Sequence, residues 1–157
     1  MEPKEVQAVR ESLVAYGAPL AAWDGHAHFP LEEALARGLV LAREDATVLR
    51  VLPLVLARNY PKLDWDKLVE NCRRSNQISA LGFVAEIASE LGKLPDLAAR
   101  ATALWQAPTK QEYFFPLPNS YARRLADARS PAPARRWGFV LNVEHDSFRQ
   151  IFEKHFG

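Results

Sequence analysis

Apolar residues recur along most of the chain at the three- and four-residue spacing of an α-helix. Val6, Val9 and Leu13 form a first face, with Val14 and Tyr16 alongside; Pro3 sits in the first turn and Gly17 is placed to end it. Residues 18–29 show no clear period. Pro30 opens a second helix in which Leu31, Leu35, Leu39 and Ala42 face one way and Glu32, Glu33, Arg37 and Arg43 the other. Asp45 is an N-cap candidate for residues 46–59. In that stretch β-branched residues suit a strand, but its length and the spacing of Val48, Leu52, Val55 and Leu56 favour a helix, kinked or broken at Pro53.

A helical hairpin follows over 63–92. Asp64 is placed to cap its first helix and Asp66 to sit in the first turn, with Leu68, Val69 and Cys72 inward. Ser75 and Asn76 break and recap the chain. The second helix carries Ile78, Leu81, Val84, Ala85, Ile87, Ala88 and Leu91 with few polar positions, so it should be central and covered on most sides. Gly92 ends it, and another helix is expected from about Pro95 to Gln106.

The pattern changes over 107–118, where three prolines and the run Tyr113-Phe114-Phe115 argue against regular structure and predict an ordered connector laid across the helices. Asn119 or Ser120 caps a short basic helix ending near Ser130. Pro131-Ala132-Pro133 reads as a break, Trp137–Leu141 as extended, and the tail as a helix capped by Asp146 with Phe148, Ile151, Phe152 and His155 on one side. The expectation is one all-α domain over residues 1–157, of about six to eight helices with proline-rich ordered connectors.

The chain has 157 residues, 48% hydrophobic and 25% charged, enough for one substantial core. Its formal net charge of +1 argues against whole-surface binding to nucleic acid or membrane. The charge is uneven: residues 110–157 carry eight Lys and Arg against five Asp and Glu, a basic, aromatic C-terminal subregion. Cys72 is the single cysteine, which suits a reducing compartment. The charged N-terminus has no apolar signal-peptide core, and no apolar run approaches the roughly 18 residues of a membrane span. A cytoplasmic protein without a membrane association is expected.

Candidate chemistry is sparse. Asp24-Gly25-His26-Ala27-His28-Phe29 resembles the first metal motif of amidohydrolases, in which paired histidines at the end of a strand hold a divalent metal. That resemblance implies a small metal-dependent hydrolase using His26 and His28, completed by Asp24 and His145 or by a second subunit. Such barrels usually need about 250 residues, and here Pro19-Leu20-Ala21-Ala22-Trp23 stands where a strand should precede the motif. Two surface histidines on a loop are the simpler reading. Glycine-rich phosphate loops and nucleophile elbows are absent from the sequence. Glu86 and Glu90, four residues apart, read as a solvated stripe, and Cys72 as a core side chain. No catalytic residue and no cofactor is implied, and the balance favours a non-enzymatic protein.

Arg123, Arg124, Arg129, Arg135, Arg136 and Trp137, together with Tyr121 and Tyr113-Phe114-Phe115, form the candidate binding residues. Arginines grip phosphates or carboxylates in pairs of hydrogen bonds and aromatic faces stack on bases. The set therefore suits an acidic protein partner or, as the alternative, single-stranded nucleic acid; a homo-oligomer is a further form it could take. The simplest use of the same arginines is a solvated face with salt bridges to the acidic remainder of the chain.

The stretch Leu49–Leu94 resembles the helical region accompanying nucleotidyltransferase-like proteins of bacterial toxin–antitoxin and abortive-infection systems, the AbiEii and MNT type. The shared features are the apolar helix, the Leu63-Asp64-Trp65-Asp66 entry, the basic turn at Arg73-Arg74, and Ala80-Leu81-Gly82-Phe83 leading into an alanine-rich helix. The Gly-Ser motif and paired aspartates of that family are missing, so the resemblance implies a helical accessory or partner-binding role and no nucleotidyl transfer.

Overall fold

In a computed structural model, which describes residues 1–20 and 24–156, the apolar faces close into one core. Helices α1 (Pro3–Ala15), α2 (Leu31–Ala42), α3 (Ala46–Asn59), α4 (Trp65–Arg74), α5 (Ile78–Leu91) and α6 (Pro95–Leu104) follow in order, with a 3₁₀ turn at Tyr60–Lys62. The C-terminal part holds strand β1 (Glu112–Tyr113), α7 (Ser120–Arg129), α8 (Ala132–Arg136), strand β2 (Phe139–Val140) and α9 (His145–His155). The protein is mainly α in a single domain. Among the described residues no helix is long and apolar enough to cross a membrane.

Two helices form the centre. In α3 nearly every side is covered, with Val48, Leu49, Val51, Leu52, Leu54, Val55, Leu56 and Ala57 buried. It runs unbroken through Pro53, so the ambiguous stretch is one helix. Asp45 caps it, accepting from the amides of Thr47 (2.9 Å) and Val48 (3.3 Å). Helix α5 is equally enclosed and packs on α3, α6 and α9. Phe83, fully buried on α5, meets Phe114, Phe139 and Phe148 at centroid distances of 6.0, 6.1 and 6.2 Å. One ring thus joins the helical body to three parts of the C-terminal half.

The caps of the hairpin divide. Asp64 accepts from the amide of Lys67 at 3.2 Å, as its position predicts. Asn76 ends α4 in the left-handed region (φ 58°), but Gln77 precedes α5 without a side-chain cap. After α5 it is Lys93, not Gly92, that turns left-handed (φ 54°); a side chain on Gly92 would come within 2.8 Å of the Ala88 carbonyl oxygen.

Three expectations need correction. Nine α-helices occur among the described residues, one more than the upper expectation, because Pro131-Ala132-Pro133 starts α8 instead of breaking the chain. Proline lacks an N–H where the first helical turn has no use for one. Helix α9 begins at His145, and Asp146 lies inside its first turn, bonded to Arg149 and Gln150 side chains and capping no amide. The connector over 107–118 is not free of regular structure: Glu112–Tyr113 pairs in parallel with Phe139–Val140. Of the connector over 18–29, residues 21–23 lie outside the described residues.

Candidate interaction surface

The sequence-predicted aromatic and arginine set separates into three groups. Phe114 (1% exposed) and Trp137 (4%) are core residues that reach the surface only as part of the floor of a depression. Phe114 packs on Phe83, Phe139 (5.0 Å) and Phe115 (5.7 Å). Trp137 lies across Gly82, where any added side chain would fall inside the indole ring. Both are therefore corrections to the binding set: their apolar area is already used to dock the C-terminal half onto α5.

A second group is engaged in holding the fold. The guanidinium of Arg136 pairs with Glu86, and that of Arg135 donates to the Asp127 carbonyl. Arg129 lies 3.5 Å from Glu144. These arginines are directed to acids and carbonyls of their own chain; of the three, Arg136 reaches an acid of the N-terminal part, and the other two meet groups of the C-terminal segment itself.

The third group faces outward. Tyr121 is 64% exposed on α7, and the neighbouring Arg123 and Arg124 are exposed with no salt bridge among the described residues. Tyr113, 38% exposed, stands on β1. A shallow depression of about 170 Å³, lined by Gln111, Glu112, Tyr113, Asp127 and Val140, joins β1 to α7. Asp127 is one helical turn beyond Arg123 and Arg124 on the same helix. A wider depression of about 480 Å³ lies against Arg43, Glu44, Gln77, Tyr113, Phe115 and Pro116.

Arg43 fixes this surface, and sequence reasoning assigned it only to a polar helix face. Its guanidinium stacks over Phe114 (4.7 Å) and Phe139 (5.0 Å), and its Nε donates to the Phe114 carbonyl at 2.6 Å. The remaining nitrogens reach Gln77 Oε1 at 3.4 Å and Glu112 Oε1 at 3.2 Å. A cation held over two rings and one carbonyl ties β1 to the end of α2. The spacing of residue 43 carries no signal for a contact some seventy positions away.

Trp105 was also not foreseen. It is 42% exposed, its indole N–H donates to the Arg136 carbonyl at 2.9 Å, and it borders a cleft of about 410 Å³ with Glu86, Ser89, Thr102 and Arg136. Its place just after the last turn of α6 and before Ala107-Pro108 was the available clue.

The chain matches no protein-family model, no curated protein and no solved structure.

The histidine pair lies against α1. His26 and His28 meet edge to face at 4.5 Å, and His28 Nε2 lies 2.5 Å from Glu11 Oε2 on α1. The His28 amide donates to Ser12 Oγ at 2.9 Å. The side-chain hydrogen bond between His28 and Glu11, followed by one from Gln7, holds the Glu11 carboxyl below its ordinary range. His145, the proposed third ligand, lies instead 3.4 Å from Glu90. Among the described residues no group of three or more His, Cys, Asp or Glu side chains is placed to share a metal ion. The pair serves to pin the 24–29 connector to α1. Cys72 is fully buried, and burial pushes its thiol up to about 12, so it is protonated and unreactive at neutral pH.

Proposed function

We propose that the protein is a non-enzymatic, cytoplasmic interaction module that binds an acidic protein partner through Tyr113, Tyr121, Arg123 and Arg124. The observation that carries this reading is the exposure of Tyr121, Arg123 and Arg124 together on α7 without acidic partners among the described residues. Tyrosine and arginine are the residues that most often dominate binding energy at protein interfaces. The rest of the segment is anchored to the body through Phe114, Trp137 and Arg43, which supports a preorganised surface whose ordering costs little on binding. A bacterial toxin–antitoxin or defence setting is proposed from the Leu49–Leu94 resemblance.

Nucleic-acid binding is the second reading, and the side-chain inventory favours it less. Two of the rings named for base stacking are buried, and Arg129, Arg135 and Arg136 are directed to the chain's own oxygens. What remains is a small cationic footprint.

Affinity purification of the full chain from its native host, beside the Arg123→Glu/Arg124→Glu variant, tests the proposal. A stoichiometric protein partner retained by the parent chain and lost from the variant is expected. Recovery of no protein by either, with salt-sensitive binding to oligonucleotides, would overturn it in favour of the nucleic-acid reading.

A further inference from the structure

Strand β1 has a paired side and an open side. The amides of Glu112 and Phe114 both donate to β2, to the carbonyls of Gly138 and Val140, each at 2.9 Å. Backbone groups alternate along a strand, so the N–H and C=O of Tyr113 point away from β2, and the chain bends after it at Phe114 and Phe115. Among the described residues Tyr113 makes no backbone hydrogen bond, although its neighbours on both sides do. An open, extended edge of this kind is recognised by another extended backbone, because only a strand offers donors and acceptors at the matching repeat.

The side chains around the edge agree. Tyr113 stands between the two depressions that border β1, which gives an added strand room for residues directed to either face. Pro108 lies before the strand, the chain bends at Phe114 and Phe115, and Pro116 and Pro118 follow, so the edge is limited to about three residues. That length suits a short peptide better than a stable pairing of two copies, for which a few edge hydrogen bonds would bury too little surface. The fixed charges nearby are arranged unequally. Glu112 is paired with Arg43, whereas Lys110, Arg123 and Arg124 have no salt bridge among the described residues; Asp127 and Glu44 are the acids in the lining.

We infer that the edge at Gln111–Tyr113 takes up a short extended segment of a partner protein as a third strand, with acidic residues of that segment directed to Arg123 and Arg124. This rests on the partner-binding reading above and specifies its mode: main-chain hydrogen bonds at Tyr113 supply affinity, and the basic pair on α7 supplies charge selection.

The test uses the full chain and a displayed library of random twelve-residue peptides. The best binder is synthesised with a fluorescent label and with an N-methyl group placed at each position in turn. Alternate positions should lose roughly tenfold or more in affinity when methylated, since each methyl removes one ladder donor. Tyr113→Pro, which removes an outward N–H that the fold does not use, should weaken binding by a similar factor. Tyr113→Ala, which keeps the outward N–H and loses only the ring, should weaken binding less than Tyr113→Pro does. An N-methyl scan without alternation overturns the strand mode, and it does so without altering the protein. Binding that survives Tyr113→Pro but is lost in Arg123→Glu/Arg124→Glu overturns the edge and leaves the surface reading standing. Failure to recover any peptide sensitive to Tyr113 or to the arginines overturns both. A dimer of the free chain that Tyr113→Pro dissociates assigns the edge to a second copy, and that too overturns the inference.

Discussion

Helices α3 and α5 bury aliphatic side chains on nearly all sides, whereas the stretch from Trp105 to Val143 is fixed by a few rings and by polar groups that reach backbone carbonyls. In the first region the favourable term is area removed from water, spread over many residues. In the second it is concentrated: Phe114, Phe139 and Trp137 dock on Phe83 and Gly82, Arg43 and Trp105 tie carbonyls, and Ser130 Oγ accepts from the Leu141 amide at 2.9 Å while lying 3.1 Å from its carbonyl. A region held by many small terms resists any one substitution. A region held at a few points can be released by one, while its surface stays open for other uses.

Phe83→Ala should act on both regions and give the largest effect. Loss of a fully buried phenyl ring costs about 3–5 kcal/mol, and this ring contacts Phe114, Phe139 and Phe148. Chemical denaturation should show it, together with alkylation of Cys72, whose buried, protonated thiol reacts only after the body opens. Gly82→Ala should cost about 1–3 kcal/mol by overpacking, and should act mainly by displacing Trp137. Its expected signature is a changed tryptophan emission and faster proteolysis within 105–143, with Cys72 still protected. Rapid Cys72 alkylation in Gly82→Ala would show that the two regions open as one.

How far these contacts could be read beforehand follows from their range. Helices α1 to α6 were visible because a helix writes its buried face at local spacing, and Asp45 and Asp64 because a cap acts within three residues. Pro53 obscured α3 only in its interior. The connector was harder. Phe114, Phe115 and Tyr113 are adjacent and chemically alike, yet one is buried, one half-buried and one exposed. That division is set by Phe83 and Arg43, both distant in sequence. The same limit applies to the arginines: Arg123 and Arg136 look alike in sequence, and the position of Glu86 distinguishes the paired Arg136 from Arg123, which has no salt bridge among the described residues.

Arg43→Met should have a smaller and more local effect. It keeps apolar contact with Phe114 and Phe139 but removes the hydrogen bond to the Phe114 carbonyl, a loss of about 1 kcal/mol that falls mainly on local opening of the connector. Cleavage inside 107–118 should accelerate while the midpoint of thermal unfolding falls by a few degrees at most.

The smallest effect concerns acid. The Glu11 carboxyl is held below its ordinary range in the fold, so it contributes stability above that range and loses it as pH falls through the lowered value. Below the usual carboxylate range the connector carrying His28 should loosen from α1 without global unfolding, detectable as faster amide exchange at His26 and His28. Glu11→Gln should give the same faster exchange at neutral pH and abolish its acid dependence.

Amide hydrogen exchange read by mass spectrometry, with and without the peptide selected on the full chain, tests the division between body and surface most directly. Added protection confined to 111–113 and 119–129, with α3 and α5 slow and unchanged in both states, is the expected result. Protection that appears on the body helices while 111–113 continues to exchange freely would contradict it.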